Sequence, residues 1–175
     1  MAQPNFPCAS SADEDRAKAA NPEPRAVDSP SATSPRTILV VDDQPNVGVS
    51  VAFYLETCGY RTRRVESGDA AIDLLRKEPV DGVLLDVQMP RMNGFETCVR
   101  LHEAARAASR SLKIWFMTGI NYRELPADCA KAGGLGVFHK PFDWPQLLAD
   151  LDQGFGARDS RPPAPEAKLP EQPQL

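Results

Sequence analysis

Between Arg36 and Phe155, short apolar runs alternate with longer stretches whose apolar positions recur every three to four residues. The short runs predict strands over 37–41, 60–65, 82–85, 112–117 and 135–138. Between them, Val47, Val51, Leu55 and Cys58 fall on one helical stripe, Ala71, Leu74 and Leu75 on a second, and Phe95, Cys98 and Val99 on a third. Trp144, Leu147, Leu148, Leu151 and Phe155 give the fullest stripe, opened by a cap at Asp143, Gln146 three residues on, and a Phe142–Leu147 staple. Ser67 is placed to cap the second helix. Pro126 sets the start of the fourth near 125–127, because proline is tolerated in a first turn and not further in.

Strand and helix signals that alternate, with strands read as nearly continuously apolar, imply an α/β fold whose parallel sheet is covered by helices on both faces. Right-handed crossovers leave few topologies, and the doubly wound, five-stranded, flavodoxin-like order 2-1-3-4-5 is the expected one. Ligands in such sheets bind beyond the carboxyl ends of the strands, at the switch point between the first and third.

Proline marks where this pattern stops. Of 17 prolines, six precede Arg36 and five follow Gly156, in flanks with few branched apolar residues. Such composition does not offset the entropy of ordering, so 1–35 and 157–175 are expected to be disordered tails around a domain over 36–156. A net charge of −4 argues against direct DNA binding and against an anionic membrane surface. No apolar run reaches the length of a membrane span and no secretory signal opens the chain, so a cytoplasmic location without membrane insertion is expected. Cys8, Cys58, Cys98 and Cys129 lack zinc-ligand spacing; Cys58 and Cys98 read as small buried hydrophobes. Neither a dinucleotide-binding nor a P-loop glycine motif stands at a strand end.

The chemistry lies at the strand ends. Asp42 and Asp43 follow the first strand, Asp86 the third, Thr118 the fourth and Lys140 the fifth. Each has a bland alternative: Asp42 and Asp43 as caps of the first helix, Asp86 as a solvated loop acid, Lys140 as a surface lysine. Thr118 alone says little. His102 and His139 sit in no recognisable transfer motif, and Trp115 and Trp144 read as packing residues.

The pieces ILVVDDQPNV, VLLDVQMPRMNGFE, IWFMTG and VFHKPF, in this order and spacing, resemble the receiver domain of two-component response regulators over about 36–155. The resemblance implies that Asp86 is the phosphoacceptor and that Asp42 and Asp43 are the acidic pair that helps bind Mg²⁺, with the Gln88 backbone carbonyl as a further ligand. It makes Thr118 the switch hydroxyl and Lys140, followed by Pro141, the site lysine. The phosphoryl donor would be a histidine kinase or a histidine phosphotransfer protein, and output would go through an unidentified protein partner. Three carboxylates at one rim repel, and a divalent cation with the Lys140 ammonium would cancel their charge. Mg²⁺ suits oxygen ligands and a phosphoryl group. Only a short Pro-rich stretch follows Phe155, so the expectation is a stand-alone regulator that catalyses at most its own phosphorylation and dephosphorylation.

Two departures stand out. Val137 occupies a place where the family often has an aromatic residue, and strand alternation sends Phe138 to the opposite face, so weaker switching is expected. Pro126 implies a longer loop after Thr118, with 121–125 as part of an unusual partner surface. Two rival functions are a binding module that no longer needs phosphorylation and a hydrolase with an aspartyl-phosphate intermediate. The five retained site residues disfavour the first; Gln88, where such phosphatases carry a second acid, disfavours the other.

Overall fold

The computed structural model describes residues 35–156. Strands β1 (Thr37–Val41), β2 (Arg61–Val65), β3 (Gly82–Asp86), β4 (Lys113–Thr118) and β5 (Gly136–His139) alternate with helices α1 (Pro45–Thr57), α2 (Gly68–Lys77), α3 (Gly94–Ala107), α4 (Leu125–Lys131) and α5 (Trp144–Phe155). The strands pair in parallel in the order β2-β1-β3-β4-β5, the doubly wound arrangement that the alternating signals imply.

Alternation along the central strands divides the core in two. Leu39, Val83, Leu85 and Phe116 point to one face, where they meet Leu75, Leu101 and Leu125. Ile38, Val40, Leu84 and Met117 point to the other and meet Val51, Leu55, Leu147 and Leu151. A leucine or isoleucine buried this completely contributes roughly 1.5–3 kcal/mol. Both faces of β1, β3 and β4 are thus anchored, which leaves their ends as rigid platforms.

The polar strand β2 corrects the expectation of apolar strands throughout. Its sequence is RTRRV, with Arg61, Arg63 and Arg64 exposed. It forms the edge of the sheet, where charged side chains also blunt pairing with another chain. Val99 of α3 is exposed as well; Cys98 and Leu101 carry the buried stripe there. Strands β3, β4 and β5 each run one residue beyond their apolar runs, because the ladder continues through the pairs Asp86 with Met117 and Thr118 with His139. Tyr60 lies outside β2, its N–H bonded to the Leu55 carbonyl at the exit of α1.

Three of the five described helices start on side-chain caps, two of them at Ser67 and Asp143 as expected, while α1 and α4 have none. Ser67, Asn93 and Asp143 each accept a backbone N–H three residues ahead. The Gln146 side chain turns forward to Asp150 rather than back to the cap, so the reciprocal half of the capping box is missing. Helix α4 begins at Leu125 with Pro126 in its first turn. In β5, Val137 packs on the α2–α4 side and Phe138 on the α1–α5 side, as alternation requires. The two proline-rich flanks, whose disorder was inferred from composition, lie outside the described residues apart from Pro35, as does Cys8. Among the described residues no helix is long and apolar enough to cross a membrane.

Candidate functional site

Parallel pairing brings the carboxyl ends of all strands to one rim, and three backbone bonds extend the ladder one step beyond the strands. Asp42 N–H donates to the Val65 carbonyl (3.2 Å), Val87 N–H to Met117 (2.9 Å) and Lys140 N–H to Thr118 (2.8 Å). Asp42, Asp86 and Lys140 are therefore fixed by the sheet and not by mobile loops. From the other side the first turn of α3 presses on Asp86. A side chain at Gly94 would collide with the Asp86 carbonyl oxygen and the Val87 Cα, so only glycine permits this approach. Nothing in the spacing of residues along the chain signals that contact.

One carboxylate oxygen from each of Asp42, Asp43 and Asp86 lies within 4.8 Å of the others. Lys140 Nζ donates to Asp42 Oδ2 at 2.8 Å and to Asp86 Oδ1 at 3.1 Å. Asp42 Oδ1 accepts the Gln44 N–H at 3.0 Å. Neither acid caps α1; Gln44 occupies the cap position and makes no side-chain cap bond. Asp43 Oδ1 is buried and has no hydrogen-bond partner.

Burial decides the acid strengths here. It pushes Asp86 up to about 6, with Lys140 opposing the shift and Asp42 and Asp43 adding to it. It also raises Asp42, against the Lys140 hydrogen bond and charge. For Lys140, burial works to lower the pKa, but Asp42 and Asp86 together outweigh it and hold the ammonium above its ordinary value. One ammonium thus serves two of three crowded acids. A buried carboxylate oxygen without a donor is costly, and a small cation that prefers oxygen would satisfy it. The donor set, all carboxylate, fits Mg²⁺.

The remaining sequence candidates are less tightly gathered. Thr118 is fully buried, and its hydroxyl accepts the Ile120 N–H at 3.1 Å while its carbonyl takes the Lys140 amide. Gln88 is exposed in the turn after Asp86. His102 lies on α3, its Nε2 3.0 Å from the Gly133 carbonyl, and His139 is exposed at the end of β5. Trp115 and Trp144 are buried packing residues, stacked near Phe155 and Tyr54 respectively.

The family described as response regulator receiver domain matches residues 38–152. Sporulation initiation phosphotransferase F of Bacillus subtilis is 31% identical over 106 residues, covering 61% of this chain and 82% of that one. Response regulator MprA of Mycolicibacterium vanbaalenii is 35% identical over 117 residues; the match takes in 67% of this chain but 49%, about half, of that relative. Among solved structures, chemotaxis protein CheY4 of Vibrio cholerae superposes with a TM-score of 0.62 at 26% identity, covering 68% of this chain and 98% of that one. With its sheet order, its rim of acids and a family match over most of its length, the chain belongs to the response regulator receiver domains.

Proposed function

We propose that this protein accepts a phosphoryl group on Asp86 in a Mg²⁺-dependent reaction and passes the signal to a protein partner. One observation carries the reading: three carboxylates converge at the rim, a single ammonium bonds two of them, and a buried oxygen of the third, Asp43, has no partner. That arrangement is unfavourable as architecture and apt for binding a cation and a phosphoryl group.

Asp42, Asp43, Asp86 and the Gln88 backbone carbonyl would hold the ion. When bound, Mg²⁺ supplies positive charge that offsets the carboxylates and polarises phosphoryl oxygens. Asp86 is the nucleophile. With its pKa near 6 it is mostly ionised at neutral pH, and it attacks phosphorus to form an acyl phosphate. With a phosphohistidine donor the P–N bond breaks, and the ring nitrogen keeps the bonding pair. Lys140, already bonded to Asp86, stabilises charge on the transferring group.

Thr118 links the site to the loop before α4. A hydroxyl can accept one bond and donate another, so Thr118 can keep the Ile120 N–H while donating to a phosphoryl oxygen. Drawing Thr118 toward Asp86 would therefore pull on residues 119–124, a local event with a wider readout. Val137 offers no aromatic ring to accompany that movement, so switching is weaker or routed through the loop.

The donor is a histidine kinase or a histidine phosphotransfer protein; the phosphotransferase name of the Bacillus relative supports a place in phosphoryl exchange. In this reading the chain acts in the cytoplasm and, with a net charge of −4, binds no DNA directly. The decisive experiment incubates the protein with Mg²⁺ and a small acyl phosphate. One acid-stable, base-labile phosphoryl group should be incorporated, and EDTA or Asp86→Asn should abolish it. Full labelling of Asp86→Asn would overturn the assignment.

A further inference from the structure

We propose that the groove beside Asp42 is the approach site for an anionic phosphoryl donor, with Arg64 as the cation that holds the donor there. The inference rests on Asp86 being the phosphoacceptor. The groove is open, about 360 Å³, and is lined by Asp42, Pro45, Gly48, Arg64, Glu66 and Ser67 among others.

Its shape depends on a glycine that packing does not require. Gly48 is the fourth residue of α1, inside a helix, where glycine is among the least favourable residues. A Cβ built there meets no atom within 4 Å. Gly94, by contrast, is demanded by a collision with Asp86. What Gly48 provides is open space in the groove that Asp42 also lines.

The charge in the groove also lacks a structural explanation. Along β2, Thr62 bonds Glu56 of α1 and Arg63 pairs with Glu78 at the end of α2. Alternation therefore puts Arg64 on the α1 face, over the groove. Arg64 is exposed and makes no ion pair or side-chain hydrogen bond among the described residues. Lys140 is already committed to Asp42 and Asp86. With Mg²⁺ and Lys140 offsetting the three carboxylates, the rim holds little spare positive charge for an incoming anion, and Arg64 supplies a further cation outside the pocket; Glu66 opposes it.

The donor rests against Arg64 with its phosphoryl end toward Asp86. An Asp86 oxygen bonds to phosphorus as the P–O bond to the acyl group breaks, and the acyl group departs as a carboxylate with the bonding pair. Arg64 touches only the incoming anion and takes no proton.

The test measures the second-order rate of Asp86 labelling by acetyl phosphate at saturating Mg²⁺, as a function of salt. Arg64→Ala should lower the rate at low salt by about three- to tenfold and flatten its salt dependence. Arg64→Lys should restore most of it, and Glu66→Gln should raise it. Gly48→Leu should slow a bulky acyl phosphate more than acetyl phosphate. Wild-type rates and salt slopes in Arg64→Ala and Gly48→Leu, both shown folded by thermal melting, would overturn the approach site while Asp86 labelling stands. A wild-type chain that is never labelled would instead overturn the phosphoacceptor reading and this inference with it.

Discussion

The two rims of the sheet handle charge in opposite ways. At the amino-terminal rim, charges are spread out and matched within the chain. Asp81 accepts the Thr37 N–H at 2.7 Å, Arg110 donates to the carbonyls of Leu75 and Glu78, and Lys113 donates to Gly154. Even Arg36, whose Nη1 lacks a hydrogen bond, lies over the Phe155 ring at 4.7 Å. At the carboxyl rim, like charges are brought together and shielded from water, with one ammonium between them. The first rim serves stability. The second crowds like charges at a cost in stability, and that unmatched charge is what the proposed function rests on.

Substitutions at the two rims should separate these roles. The largest effect is expected for Lys140→Met, which leaves Asp42 and Asp86 buried without their cation. Breaking a buried pair costs about 3–5 kcal/mol, to be read from denaturant unfolding in EDTA. Arg110→Met at the opposite rim should cost about 1–2 kcal/mol. Equal losses at the two sites would remove the contrast.

Mg²⁺ provides the next test. At a hundredfold excess over its dissociation constant, a ligand of the folded state adds about 2.7 kcal/mol. Thermal melting should show that gain in the wild type and lose most of it in Asp43→Asn, whose orphan oxygen the ion would satisfy. Asp81→Ala should retain it.

A smaller effect concerns pH. Asp86, raised to about 6 from an ordinary 3.8, holds its proton more tightly in the folded chain than in the unfolded one. The metal-free protein should therefore gain stability as pH falls from 6 to 4, on the order of 1–3 kcal/mol, seen as the difference between wild type and Asp86→Asn. Saturating Mg²⁺ should reverse the sign, since the ion competes with the proton. A wild-type minus Asp86→Asn difference that stays flat across this window would show that burial does not control Asp86. Smallest of all, Asp81→Ala should cost about 1 kcal/mol by leaving the Thr37 amide to water, with labelling of Asp86 unchanged.

Much of this was legible in the chain because central strands and their ends carry strong local signals. Val83, Leu84 and Leu85 read as a buried strand, and Asp86 could then only stand at the rim. Ser67 and Asp143 announced their helices because capping is local chemistry. Edge position is not local, which is why Arg61, Arg63 and Arg64 defied the expectation of apolar strands. The exposure of Val99 depends on how wide a face α3 buries, a tertiary matter. The close approach of Gly94 to Asp86 and the missing partner of Asp43 are properties of assembled geometry, which no spacing rule encodes.

The most direct measurement maps the modified residue. Protein labelled by acetyl phosphate and Mg²⁺ is treated with borohydride, which reduces an aspartyl phosphate to homoserine, and its peptides are weighed. Homoserine at position 86 is the expected result; homoserine at 42 or 43, with Asp86 intact, would contradict the account.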